Sequence, residues 1–139
     1  MADLTITAAS VEIVLGSSTV EGTAGETITA GQPVYKDASD SDKVKAADAN
    51  ASKESADCVG IALHGATDGQ PLVYVSSGDV DLGATLTIGT IYVVSATSGG
   101  IAPEGDLTSG QYTTILGVAT AANNLKMNLK ASGVTKGGS

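Results

Sequence analysis

Apolar residues fall in runs of four or five along the chain, each closed by Gly, Asp, Asn or Ser, and this pattern predicts short β-strands. Strands are expected at 4–7, 11–15, 27–29, 33–36, 43–46, 59–63, 72–75, 85–88, 91–94, 115–119 and 126–129. Such lengths suit a small barrel or sandwich. Only residues 47–56 combine good helix formers, and their apolar periodicity is weak, so one helical turn within a loop is the equal alternative. The order of elements repeats. Thr27-Ile28-Thr29-Ala30-Gly31-Gln32-Pro33-Val34-Tyr35, a polar stretch and Val59-Gly60-Ile61-Ala62-Leu63 lead through Asp68-Gly69 to Leu72-Val73-Tyr74-Val75 and Ser77-Gly78. Leu86 to Tyr92, a second polar stretch and Leu116-Gly117-Val118-Ala119-Thr120 lead through Asn123-Asn124 to Lys126-Met127-Asn128-Leu129 and Ser132-Gly133.

The fold expected is therefore all-β: a small β-barrel or sandwich built from two similar β-units, with a flexible N-terminal arm. Residues 1–25 form the arm and linker, because Gly16-Ser17-Ser18 and Gly22-Thr23-Ala24-Gly25 have the composition of flexible links. Residues 26–134 form the β domain, duplicated as 26–83 and 84–134, and 135–139 form a flexible tail. Gly60 and Gly117 open equivalent strands, where close backbone approach favours glycine. Asp68-Gly69 and Asn123-Asn124 supply residues tolerant of positive φ at hairpin turns.

Composition makes the core thin. Leu, Ile and Val total 31 of 139 residues, Phe and Trp are absent, and there are four Tyr. Aromatic burial, which dominates many cores, is nearly missing, and stability borrowed from an oligomer is expected. The net charge is −8, with no arginine, which argues against nucleic-acid binding. Apolar runs are far too short for a membrane span, and Met1-Ala2-Asp3-Leu4 has no signal-peptide character, so synthesis in the cytoplasm is expected. All 15 acids lie at or before Asp106, giving that portion −11, while Lys126, Lys130 and Lys136 make the remainder +3.

Catalytic, cofactor and metal chemistry finds no motif. His64 is the one histidine and Cys58 the one cysteine, and no nucleophile elbow, phosphate loop or Cys/His cluster accompanies them. The acidic run Asp37-Ala38-Ser39-Asp40-Ser41-Asp42 has oxygen ligands for a hard cation but lacks the glycine and terminal glutamate of a calcium loop; a solvated loop is the favoured reading. Two segments stand out as partner-binding candidates. Leu4, Thr5, Ile6 and Thr7 alternate outside the repeat and could add a strand to another protein's sheet, or serve as an ordinary edge strand of the domain. Lys126, Asn128 and Lys130 should share one face of a strand, with Met127 and Leu129 on the other, making a small positive stripe.

The segments Thr27–Tyr35, Cys58–Leu63, Leu72–Val75 and Ser77-Gly78-Asp79-Val80, with the second copy in Ile91-Tyr92, Ile115–Ala119 and Lys126–Leu129, resemble the phage head-decoration, or capsid cement, proteins. The similarity covers about Thr27 to Val134 in short phrases of common residues. The resemblance implies a non-enzymatic virion protein on the outer capsid surface, binding across neighbouring major capsid subunits and stabilising the mature head. It also implies a homo-oligomer, with a trimer favoured. The alternatives are a phage tail or fibre module, or a bacterial surface β-module mediating protein or carbohydrate attachment.

Overall fold

The structure, a computed structural model, describes residues 6, 11–13, 18–49, 53–82, 84–95, 99–103 and 111–135. Ten strands are described: β1 (Glu12–Ile13), β2 (Ser18–Thr23), β3 (Pro33–Asp37), β4 (Lys43–Ala46), β5 (Gly60–Ala62), β6 (Pro71–Asp81), β7 (Ile91–Val94), β8 (Ile101–Pro103), β9 (Tyr112–Ala121) and β10 (Asn124–Thr135). One helical turn, α1 (Lys53–Ala56), lies inside the 47–56 segment where a turn of helix was the alternative to loop. Its end is tied to β9 by the buried Thr114 hydroxyl, which donates to the Ala56 carbonyl.

Eight strands run in the order β4-β3-β5-β6-β10-β9-β7-β8, all paired antiparallel, and β1 and β2 both add to β6. The order is symmetrical about the β6–β10 pair. Reading outward, β6-β5-β3-β4 on one side matches β10-β9-β7-β8 on the other. The two similar β-units expected from the repeated phrase are thus two four-strand units joined along their last strands. The fold is all-β, as expected.

β6 is the longest-ranging element. Its first part pairs with β2 and β5, so that Tyr74 faces both Val20 and Ala62; its last part pairs with β1 and β10, so that Val80 faces both Ile13 and Leu125. The change of partners falls at a register shift opposite Ser18 and at Gly78, whose φ of 91° is open to glycine.

Burial follows from this curl. One cluster, with Ile61, Val75, Val80, Leu82, Tyr92, Val93, Ile101, Leu116 and Leu125, draws on both units. A second, with Ala24, Ile28, Val34, Val44, Leu72 and Tyr74, fills the first unit alone. The first unit encloses it because the chain after β2 returns to β4. Ala24 bridges Val44 in parallel, and the Gly25 N–H donates to the Val44 carbonyl at 2.8 Å. Each fully buried Leu, Ile or Val stabilises by about 1.5–3 kcal/mol, and these aliphatic side chains carry the burial that Phe and Trp do not supply.

Several expectations change. Ser18–Thr23 and Ala24-Gly25 are not a link: β2 makes six residue pairs with β6, and the Ala24 N–H donates to the Gln70 carbonyl at 2.8 Å. Segment 27–29 reduces to a single bridge, Ile28 to Ala66, and 85–88 holds no strand; each buries one side chain, Ile28 or Leu86. The Asn123-Asn124 turn uses no positive φ. Its asparagines instead donate through Nδ2, Asn123 to Asp81 and Asn124 to Thr120, each at 2.9 Å. The tail, 135–139, lies outside the described residues except Thr135, which ends β10.

Candidate interaction surface

β10 presents the predicted lysines. Lys126 and Lys130 are exposed, Met127 is buried, and Leu129 packs half-buried against the main cluster, so the strand alternates as its sequence predicts. The side chain of Asn128 lies outside the described residues. Register places Asp79 of β6 directly opposite Lys126 and Ile115 of β9 opposite Lys130. The stripe is therefore not uniformly positive: an acid of the same chain stands across from its first lysine, while the second stands over an aliphatic neighbour. Beside Lys130, an open groove of about 200 Å³ is lined by Ile91, Ile115, Gly117, Val118 and the lysine itself. Its mostly aliphatic wall was not foreseen: Ile91, Ile115 and Val118 were placed on strands, with no face assigned to them.

Leu4, Thr5 and Thr7 lie outside the described residues. Ile6 is partly buried against the main cluster, and a Cβ placed on Gly31 would meet its Cγ2 at 2.6 Å and Val11 Cγ2 at 3.2 Å. At Ile6, then, the chain packs on the body of its own domain. The N-terminal candidates and the lysine face are not brought together by any described contact.

The groups weighed for chemistry are engaged locally. The His64 Nε2 accepts the Val73 N–H at 3.0 Å, and its Nδ1 lies 2.9 Å from the Gly65 carbonyl, so the ring serves the strand end as an Nδ1–H tautomer. Cys58 is buried, its thiol donates to the Gly60 carbonyl at 3.1 Å, and burial pushes its pKa up to about 12, which leaves no thiolate for attack.

In the acidic loop, the cation held is an ammonium. Lys45 Nζ lies 2.8 Å from Asp37 Oδ2 and 3.2 Å from Asp40 Oδ2, while Asp37 Oδ1 accepts the Ser39 hydroxyl at 2.6 Å and the Ser39 N–H at 3.0 Å. Lys45, then Ser39, hold the Asp37 carboxyl at about 2, below its ordinary 3.8, and Asp37, then Asp40, raise the Lys45 pKa. Among the described residues, no group of three or more His, Cys, Asp and Glu is placed to hold a metal ion.

The sign of the resulting pH dependence follows. Because the folded pKa of Asp37 is depressed, its contribution is present above about pH 4 and is lost as pH falls toward about 2. Asp37→Asn should lower the melting temperature at neutral pH and flatten the acid limb of a melting-temperature profile across that window. A variant whose profile runs parallel to the parent down to the lowest pH would show that this network is not coupled to folding.

No protein-family model matches the chain, and no curated protein matches it. No described helix is long and apolar enough to cross a membrane.

Proposed function

We propose that this protein is a structural virion component that binds the outer surface of a phage capsid across neighbouring major capsid subunits and stabilises the mature head. The observation that carries the reading is the duplicated phrase itself, whose two copies fall on matching strands of two joined β-units. The phrase carries the resemblance to head-decoration proteins, and its coincidence with a structural repeat makes a chance match of β-like segments a poorer account. The chemistry of the body agrees with a cementing role. His64 and Cys58 are bound into the scaffold, and the side chains left at the surface of β10 are suited to docking rather than turnover.

A cement protein acts by spreading modest contacts over several subunits, so that avidity exceeds any one contact. Lys126 and Lys130 supply the charged part of such a contact toward an acidic capsid surface. Mass spectrometry of purified virions should find the protein at a copy number comparable with the major capsid protein; its absence from virions overturns the reading. Changing Lys126 and Lys130 together to Gln should weaken binding to purified heads by about tenfold at low salt, and much less at high salt where exposed charges are screened. Unchanged binding at every salt concentration would leave the two lysines outside the capsid contact.

A further inference from the structure

The groove beside Lys130 lies on a face whose counterpart in the first unit is sealed. Ile115 and Val118 each stand 57 residues after Cys58 and Ile61, at the matching positions of the repeat. Cys58 and Ile61 are buried in the main cluster, which also holds Val11 and packs against Ile6. In the second unit, Ile115 and Val118 instead line an open groove, with Ile91 37% exposed at its wall and Ile88 67% exposed on the turn that leads into β7. That turn is fixed in place: the Gly89 N–H donates to the Ala119 carbonyl at 2.8 Å and the Thr87 N–H to the Tyr92 hydroxyl at 3.0 Å.

Register shows which side chains share the face. Ile91 of β7 and Lys126 of β10 both stand opposite Val118 of β9, and Lys130 stands opposite Ile115. Ile115 and Val118 are three residues apart yet face the same way, because irregularities in both ladders fall between Ile115 and Gly117. The groove is open and holds about 200 Å³, below the roughly 300–1,000 Å³ of clefts that enclose small molecules, which suits one inserted side chain. Its two lysines differ in charge environment. Lys126 faces Asp79 of β6, whereas the neighbour of Lys130 on β9 is aliphatic. No acid follows Asp106 in the chain, and among the described residues no ion pair holds Lys130.

We propose that the groove receives an aliphatic side chain from an extended segment of a capsid subunit, with a carboxylate two residues away on that segment meeting Lys130. The proposal rests on the virion reading and gives its capsid contact an apolar anchor. Charge and geometry both select this occupant. An ammonium without a partner beside an aliphatic trough pairs with a carboxylate and repels a basic segment. Alternate residues of an extended chain share a face, so an anchor seated by Ile91 and Val118 brings the residue two positions along to the row of Ile115 and Lys130. Lys130 suits both tasks, because its methylene stem can line the groove while its ammonium stays in water. The whole chain carries −8, so long-range steering does not favour an acidic partner. The carboxylate therefore sets the register, and the apolar insertion supplies the affinity.

The test is binding of the full-length protein to purified heads at low and high salt. Ile91→Gln should weaken binding by about tenfold at both, because an apolar contact is not screened, whereas the loss in Lys130→Gln should shrink as salt rises. Val20→Gln, at the exposed apolar residue of β2, should bind as the parent does. Thermal melts should show all three variants folded, since each changed side chain is exposed. A benzophenone side chain placed at position 88, on the turn beside the groove, should crosslink to a segment of the major capsid protein that carries Ile, Leu, Val or Met with Asp or Glu two residues away. A parent that does not bind heads ends the virion reading and this proposal together. Where the parent binds, full binding by Ile91→Gln at both salt concentrations overturns the groove contact and leaves the virion reading standing. An equal loss in Val20→Gln, or a crosslink to a basic or wholly polar segment, does the same.

Discussion

Gly117→Ala should cost about 3 kcal/mol or more, lowering the melting temperature by about 10 °C or more. A Cβ at Gly117 would run into the Lys126 carbonyl oxygen, 2.8 Å from the Lys126 carbonyl carbon and 3.1 Å from the Met127 Cα. All three are main-chain atoms of β10, so no rotamer change relieves the contact; β9 and β10 must separate. At Gly60 the clash is with the Val75 carbonyl oxygen and, at 2.5 Å, the Tyr74 ring. Tyr74 can tilt but the carbonyl cannot, so Gly60→Ala should be nearly as severe. Two glycines calibrate the effect. Gly69 has φ 88° with open space around it, so Ala there meets only backbone strain of about 1–2 kcal/mol. At Gly65 the nearest atom is the Ile28 carbonyl oxygen at 3.4 Å, an ordinary contact, and Ala should change stability by less than about 0.5 kcal/mol. Chemical denaturation of the four variants should rank them 117, 60, 69, 65. A Gly117→Ala protein as stable as the parent would mean that the two strands are not so closely apposed.

What the sequence discloses of this fold divides by physical cause. Short apolar or alternating runs announce themselves: Ile91–Val94, buried at three consecutive residues, and Lys43–Ala46, buried at Val44, occupy the expected residues, and Gly60 and Gly117 mark close approach because only glycine fits there. β2 stays hidden because its stabilisation is main-chain pairing to β6, which leaves Val20 exposed and no apolar period to detect. Its glycine has a different use from the flexibility its composition suggests: a Cβ at Gly22 would press on Val44 Cγ2 at 2.9 Å, where β2 curls over the first unit. β8 (Ile101–Pro103) is three residues long and ends in proline, too short for a pattern. On the surface, the alternation of Lys126, Met127, Leu129 and Lys130 was legible because a strand has period two. The groove was not, since it depends on which of two equivalent sheet faces remains open, and that is decided by tertiary packing.

Removing residues 1–25 should abolish cooperative folding, although their Gly, Ser and Thr content has the look of a dispensable leader. The deletion strips β6 of one partner along both of its parts, taking six residue pairs from β2 and two from β1. A hydrogen bond contributes about 0.5–1.5 kcal/mol net, and a small domain has only about 5–15 kcal/mol in total. Losing the ladder alone therefore consumes much of the stability. The deletion also removes fully buried Ala24 and the closure onto Val44, opening the cluster around Tyr74 and Leu72 to water. Circular dichroism of the truncated protein should show a broad, non-cooperative melt. A synthetic peptide spanning residues 11–25, added in excess, should restore a sharp transition whose midpoint rises with peptide concentration, because a ligand of the native state stabilises by mass action. A truncated protein that melts within a few degrees of the parent without peptide would return β1 and β2 to the status of a detachable arm.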